Sequence, residues 1–299
     1  MANSFGTLNT TLIAQKTLTT LLAKFPLLSK ISTNFSDTPL LFGQSLRVKL
    51  ATARTAIAYS TTNGYVPADS TLTDTTVTLN QHIHDTYQVN DQEATSTNIN
   101  LIDKFAGLSA YALGRAIMDA LWNLVINANY ANSTTVAVGV FDRAALIDVN
   151  RVMDDRFVPD LERLAILNTA YFAALKKDLV VVSNNINPAT ERPIQTGVLP
   201  DVDGDMVIKV AVADANAENL AGAVMLPEAM ALATTVPNAP PSGLPVQGNV
   251  NLIRDENSGL AIQVREWYDF ALGQHRRTST LMYGVAVGNP LMLQRILSA

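Results

Sequence analysis

The chain has 299 residues, of which 48% are hydrophobic and only 16% charged, against roughly 25% charged in an average globular domain. Its net charge of −5 argues against a dedicated nucleic-acid binder, because affinity for a phosphate backbone comes chiefly from Lys and Arg. The absence of cysteine excludes disulfides, thiolate metal sites and cysteine nucleophiles together.

A mean hydropathy of +0.15 with so few charges needs either a membrane or other chains against the surface. No stretch approaches the roughly 20 apolar residues that span a bilayer; the longest, near Leu220 to Val236, is cut by Pro227 and Glu228. The first lysine is Lys16, so no basic segment precedes an apolar core and no secretory leader is expected. Coverage by partner chains is the better reading. The length suits one large domain or two intimately linked ones.

Residues 1–44 read as an N-terminal arm. Thr7 to Ala23 is Thr-rich with a helical repeat of Leu8, Leu12, Leu18, Leu21 and Leu22, and Pro26 and Pro39 bracket an extended stretch. Residues 45–92 read as a long hairpin and the strand leading out of it. Leu46, Val48 and Leu50 alternate with Arg47 and Lys49, the pattern of a strand covered on one side. Ser60 to Asp74 lacks a periodic apolar face, and a single second strand is expected through Val77, Leu79, Ile83, Tyr87 and Val89. A lone two-stranded device is marginal in water, so it needs something to lie against.

The strongest helix is expected over 97–131, on the recurrence of Leu101, Phe105, Leu108, Ala112, Ala116, Leu121, Leu124 and Ala128. About 30 helical residues would extend roughly 45 Å. A second helix, Asp142 to Arg156, should stop at Val158–Pro159. From residue 160 the pattern is mixed: strands at Arg163–Asn168, Leu179–Val182, Val207–Val212 and Ala223–Leu226, helices at Ala170–Lys177 and Pro227–Ala233. Loops follow Pro188, Pro193 and Pro200, and again Pro237, Pro240, Pro241 and Pro245. Strands at Leu260–Tyr268, Thr278–Val287 and Met292–Ile296 end the chain.

This order resembles the major capsid proteins of tailed bacteriophages, the coat fold sometimes called the Johnson fold. The phrases that carry it are SLRVKL opening the hairpin and TTVTLNQHIHDTYQVNDQE leading into LIDKFAGLSAYALGRAIMDALWNLV. RFVPDLERLAILN follows, and GLAIQVREWYDF with TLMYGVAVGNPLMLQRIL closes the chain. The resemblance covers nearly the whole chain through element order rather than through one diagnostic motif, and its style is that of short-tailed phage coats.

It implies an α+β fold. The arm is 1–44 and the extended hairpin 45–92. A peripheral domain with a long spine helix takes 93–159 and the returning strands 260–283. A mixed α/β axial domain takes 160–259 and the C-terminal strand 284–299. It further implies a non-enzymatic coat protein without cofactor or metal. Such a protein would self-assemble as hexamers and pentamers into an icosahedral shell in the host cytoplasm. The shell would enclose double-stranded DNA without sequence-specific binding, with a separate scaffolding protein and a portal as partners. Contacts between subunits are expected at Leu12 and Phe25 in the arm, and at Arg47, Lys49, Arg54, Tyr65, Asp69 and Asp74 in the hairpin. Arg151, Asp155 and Arg156 after the second helix, and Asp269, Arg276 and Arg277 in the last hairpin turn, complete the expected set. An encapsulin-type nanocompartment shell shares this architecture and is the near alternative.

Other chemistry is thinly supported. His82, His84 and Asp85 could begin a metal site, and so a metal-dependent hydrolase, yet no third ligand is evident beside the two histidines. A solvent-facing or interface strand explains them. Asp201, Asp203 and Asp205 around Gly204 resemble the start of a calcium loop, but position 12 is Val212, and a polar turn suffices. Arg151, Asp154, Asp155 and Arg156 fit local helical pairing. Lys49 is a conceivable donor for the isopeptide cross-links some coats of this family make; no acceptor phrase matches it.

Overall fold

A computed structural model describes residues 6–31, 43, 45–51, 58–62, 64–65, 72–96, 101–178, 199, 201–211, 216–238, 248–254 and 260–299. The arm forms two helices, α1 (Gly6–Lys24) and α2 (Pro26–Lys30). Pro26 does not begin an extended stretch as expected: it stands at the first turn of α2, where a missing N–H costs nothing. The hairpin pairs β1 (Ser45–Ala51) with β2 (Leu72–Thr78), in register from Ser45 opposite Thr78 to Ala51 opposite Leu72.

The expected single return strand is two. The chain breaks at Leu79–Asn80, and β3 (Gln81–Asn90) leaves β1 to pair with β11 (Gln274–Val287). Leu79 is fully buried at this break, and its carbonyl accepts from the Gly43 amide at 2.9 Å. After β3 come α3 (Asp91–Ser96) and the spine helix α4 (Leu101–Trp122), 22 residues or about 33 Å rather than the expected 45 Å. Past Trp122 the backbone tightens, with Leu124 N–H donating to Leu121 O at 3.2 Å and Val125 N–H to Trp122 O at 2.9 Å, the shorter-range bonds of a helix end. Asn216 Nδ2 also donates to Trp122 O at 2.9 Å and to Val125 O at 3.1 Å, tying the turn that follows the helix to a distant part of the chain.

Two five-stranded sheets follow. The first runs β3–β11–β10 (Ala261–Asp269)–β9 (Asn249–Arg254), and β8 (Met230–Thr235) pairs with the far end of β11. The second runs β4 (Ser133–Thr135)–β12 (Leu293–Leu297)–β7 (Leu220–Met225)–β5 (Leu164–Leu167)–β6 (Met206–Lys209). Residues 227–233 are not a helix: a single 3₁₀ turn, Pro227–Ala229, gives way to β8, because β11 offers an open edge to an apolar run whose periodicity alone does not decide. β8 and β9 thus join the sheet of β10 and β11, and β4 joins the sheet of the C-terminal strand.

Helices α5 (Arg143–Asp154) and α6 (Thr169–Lys177) match expectation within two residues. Asp142 accepts from the Ala145 amide and Asn168 from the Tyr171 amide, each at 2.9 Å, capping otherwise orphaned donors. One core joins α1, α2 and α4 to both sheets, through Leu164 and Ile166 on β5 and Leu281 and Tyr283 on β11. A second core packs α5 and α6 on the opposite face of the second sheet, through Ala165, Leu167 and Val224. β5 and β7 are buried along their whole length, which is why they read as unbroken apolar runs. The expected strand Leu179–Val182 and the loops at Pro39, Pro188, Pro193, Pro200, Pro240, Pro241 and Pro245 lie outside the described residues.

Candidate assembly surfaces

Among the expected contact residues, the last hairpin turn is the best defined. Asp269 and Arg276 meet at 3.5 Å across the β10–β11 ladder. Arg277 takes no part in that pair. Successive strand residues face opposite sides of a sheet, and the Arg277 side chain is 1% exposed, held by Glu266 at 2.8 Å and by the Tyr87 hydroxyl at 3.1 Å. His275 Nε2 lies 2.8 Å from the other Glu266 oxygen. This group, built around the buried Arg277, ties β3, β11 and β10 together within one chain. Burial pushes the Tyr87 phenol up, with Arg277 opposing.

The turn itself is stiff. Asp269 Oδ1 accepts from the amides of Ala271 at 3.1 Å and Leu272 at 3.3 Å. Gly273 adopts φ 60°, a left-handed conformation that glycine enters without steric cost. The Tyr268 hydroxyl donates to Asp91 at 2.5 Å, which raises the phenol. Phe270 at 77% and Leu272 at 59% exposure project from it.

A second prominence follows α5. Arg151 pairs with Asp155 at 3.4 Å and Asp148 at 3.8 Å, all three exposed. Arg156 turns inward to Gln294 at 2.8 Å, and burial with the nearby Arg163 charge lowers its pKa. Asp154 leaves the expected local cluster for Arg163, whose 2%-exposed side chain binds it at 2.6 Å and also donates to the Val158 and Pro159 carbonyls. Fastened below, this loop holds Phe157 at φ 58° with 95% of its surface exposed. A large apolar residue in that conformation is uncommon.

In the arm, Leu12 lies within α1, and Phe25 packs on α4 with its ring 5.5 Å from that of Tyr111. Arg47 stands opposite Thr76 and Lys49 opposite Asp74 in the β1–β2 ladder. Tyr65 is 93% exposed beside Tyr59, ring centroids 5.0 Å apart. Arg54 and Asp69 lie outside the described residues.

The histidine cluster is not assembled. His82 and His84 occupy the exposed face of β3, with His82 Nε2 2.9 Å from Thr280 Oγ1. Asp85 faces the other way, where it accepts from Ser109 on α4. The aspartates near Gly204 also diverge: Asp203 pairs outward with Arg143 at 2.5 Å, and Asp205 turns inward to Asn150 at 2.7 Å. Among the described residues no three His, Cys, Asp or Glu side chains converge, and no helix is long and apolar enough to cross a membrane. The sequence did not signal Arg163, Glu266, Tyr87 or Phe157, because their roles depend on strand register and loop geometry.

The chain is similar to the capsid of the cyanophage P-SCSP1u, with TM-score 0.59 and 11% identity over 91% of this chain and 86% of that one. It is similar to a virus-like particle from Pyrococcus furiosus, with TM-score 0.56 and 11% identity over 95% and 97%. The bacteriophage PhiM1 mature capsid aligns with TM-score 0.53 and 12% identity over 90% of each chain. No protein-family model and no curated protein matches. At such identities the likeness is one of fold: the chain has the α+β fold of tailed-phage capsid subunits.

Proposed function

We propose that the chain is a major capsid protein, a structural rather than catalytic molecule that assembles with copies of itself into a closed icosahedral shell around the double-stranded DNA of a tailed phage. The observation that carries this is the shared fold over about nine-tenths of the chain. In this reading 1–44 is the arm and 45–92 the extended hairpin. The peripheral domain takes 93–159 with 260–283, and the axial domain 160–259 with 284–299. The braced turns at Phe157 and Phe270, the Asp269–Arg276 pair and the hairpin are surfaces for sister subunits. Each contact can be weak, because closure of a lattice raises the effective concentration of the next one. A charge-poor surface suits this, since covering it strips few ions of water. A scaffolding protein and a portal would be further partners, with assembly in the host cytoplasm.

Negative-stain microscopy of the expressed chain tests the proposal. Uniform closed particles are expected. A monodisperse single molecule that forms no particles under any salt or pH condition overturns it. A nanocompartment shell of the encapsulin type is the second reading, favoured by the likeness to the Pyrococcus particle over 97% of that chain. Particles purified from the native source separate the two: DNA inside supports the phage coat, and a single enclosed protein supports the compartment.

A further inference from the structure

A cleft of about 170 Å³ opens where the α1–α2 junction crosses α4 beside the end of β6. Gly114 creates the crossing: a β-carbon there would overlap the Phe25 ring, so only glycine lets that ring rest on the spine helix. Pro26 then turns α2 onto a new axis, and the space between the helices is left unfilled. Phe25, Leu27 and Met118 form its apolar wall.

The rim differs in kind. Lys24, Arg115 and Lys209 stand around it with one acid, Asp119, which lies 3.6 Å from Arg115. Three cations less one acid leave a local charge of +2 on a chain whose total is −5. The two lysines rest against aromatic rings, Lys24 Nζ 5.6 Å from the Tyr111 centroid and Lys209 Nζ 5.7 Å from that of Phe172. Neither makes an ion pair among the described residues. A neutral apolar guest would leave these ammonium groups unmatched, and an inorganic anion would leave the apolar wall wet.

We propose that this cleft binds an amphiphilic carboxylate, its apolar body on Phe25, Leu27 and Met118 and its charge among Lys24, Arg115 and Lys209. An aliphatic cavity of about 150 Å³ accommodates benzene, so the body is about six to eight carbons long. The proposal concerns the single chain and does not depend on shell formation.

Octanoate is the probe, titrated calorimetrically into the full-length protein. One site per chain is expected. Acetate, which lacks the body, and 1-octanol, which lacks the charge, should each bind at least about tenfold more weakly. Lys209→Glu, an exposed change that spares the core, should weaken octanoate by about tenfold or more, and Met118→Trp should abolish binding by filling the cleft. Absence of octanoate binding overturns the proposal, as does equal binding by Lys209→Glu or by 1-octanol. Particle formation, scored separately by microscopy, does not bear on that outcome.

Discussion

Asn150 donates from Nδ2 to Asp205 Oδ2 at 2.7 Å inside the second core, while its own Oδ1 is buried with no hydrogen-bond partner among the described residues. Burial pushes the Asp205 carboxyl up to about 6; the nearby Asp203 and Asp154 add to this, and the Asn150 hydrogen bond and Arg163 oppose it. Protonation supplies a donor to a pocket that holds an orphaned acceptor. The folded state therefore favours the protonated acid. Its stabilising contribution is fully present below the ordinary carboxylate pKa of about 4 and is lost as pH rises through about 6. Asp205→Asn keeps a neutral side chain at every pH. In urea denaturation the variant should gain stability relative to the parent as pH climbs from about 4 to about 7. A constant difference across that range would contradict the assignment.

Arg277 carries a different kind of risk. Its charge is neutralised by Glu266 and its second partner is the Tyr87 hydroxyl. Breaking a buried pair costs about 3–5 kcal/mol, and the lower end applies here because Glu266, 16% exposed, keeps His275 beside it. Arg277→Ala should therefore lower the unfolding free energy by roughly 3 kcal/mol, and Tyr87→Phe by about 1 kcal/mol. Both are measurable in the unassembled subunit. If Arg277→Ala unfolds like the parent and fails only in assembly, Arg277 belongs to an interface instead.

Arg277 also marks the limit of what the sequence displays. Local periodicity located α5, α6, β5, β7 and the closing strands, since each buries a face whose spacing is written in neighbouring residues. It overran α4, because the turn after Trp122 is tied to Asn216, some ninety positions downstream. It merged β2 with β3, because the partner exchange at Leu79 depends on β11. It paired Arg276 with Arg277 at the turn, although strand alternation sends them to opposite faces once register is known. The site was legible as a hairpin turn rich in charge; its division into a buried brace and an outer pair was not.

Gly284 sits where β11 passes under the end of β2. A β-carbon there would collide with the Thr78 carbonyl oxygen, a backbone atom that cannot swing aside. Overpacking of this kind costs about 1–3 kcal/mol. Gly284→Ala should lower the melting temperature of the isolated subunit by several degrees, roughly 2–4 °C for each kcal/mol lost in a domain of this size. Gly139→Ala is the control, since a β-carbon added there would meet nothing within 4 Å, and its melting temperature should stay close to the parent value.

Phe270 and Leu272 separate folding from assembly. Both are mostly exposed, and the turn beneath them is held by Asp269, Gly273 and the Tyr268–Asp91 hydrogen bond rather than by their own packing. Among the described residues Phe270 makes one ring contact, edge-on to Tyr268 at 5.1 Å. Replacing both by serine should change subunit stability by no more than about 0.5 kcal/mol, as for surface changes generally. In a shell those side chains would be desolvated by a neighbour, each contributing about 1.5–3 kcal/mol on full burial. Because every subunit repeats the loss, the concentration needed for particles should rise by at least about tenfold. Circular dichroism and sedimentation velocity on the same samples decide it. Parent-like melting with a shifted assembly threshold supports a docking role for the turn, and parent-like assembly removes Phe270 and Leu272 from the interface.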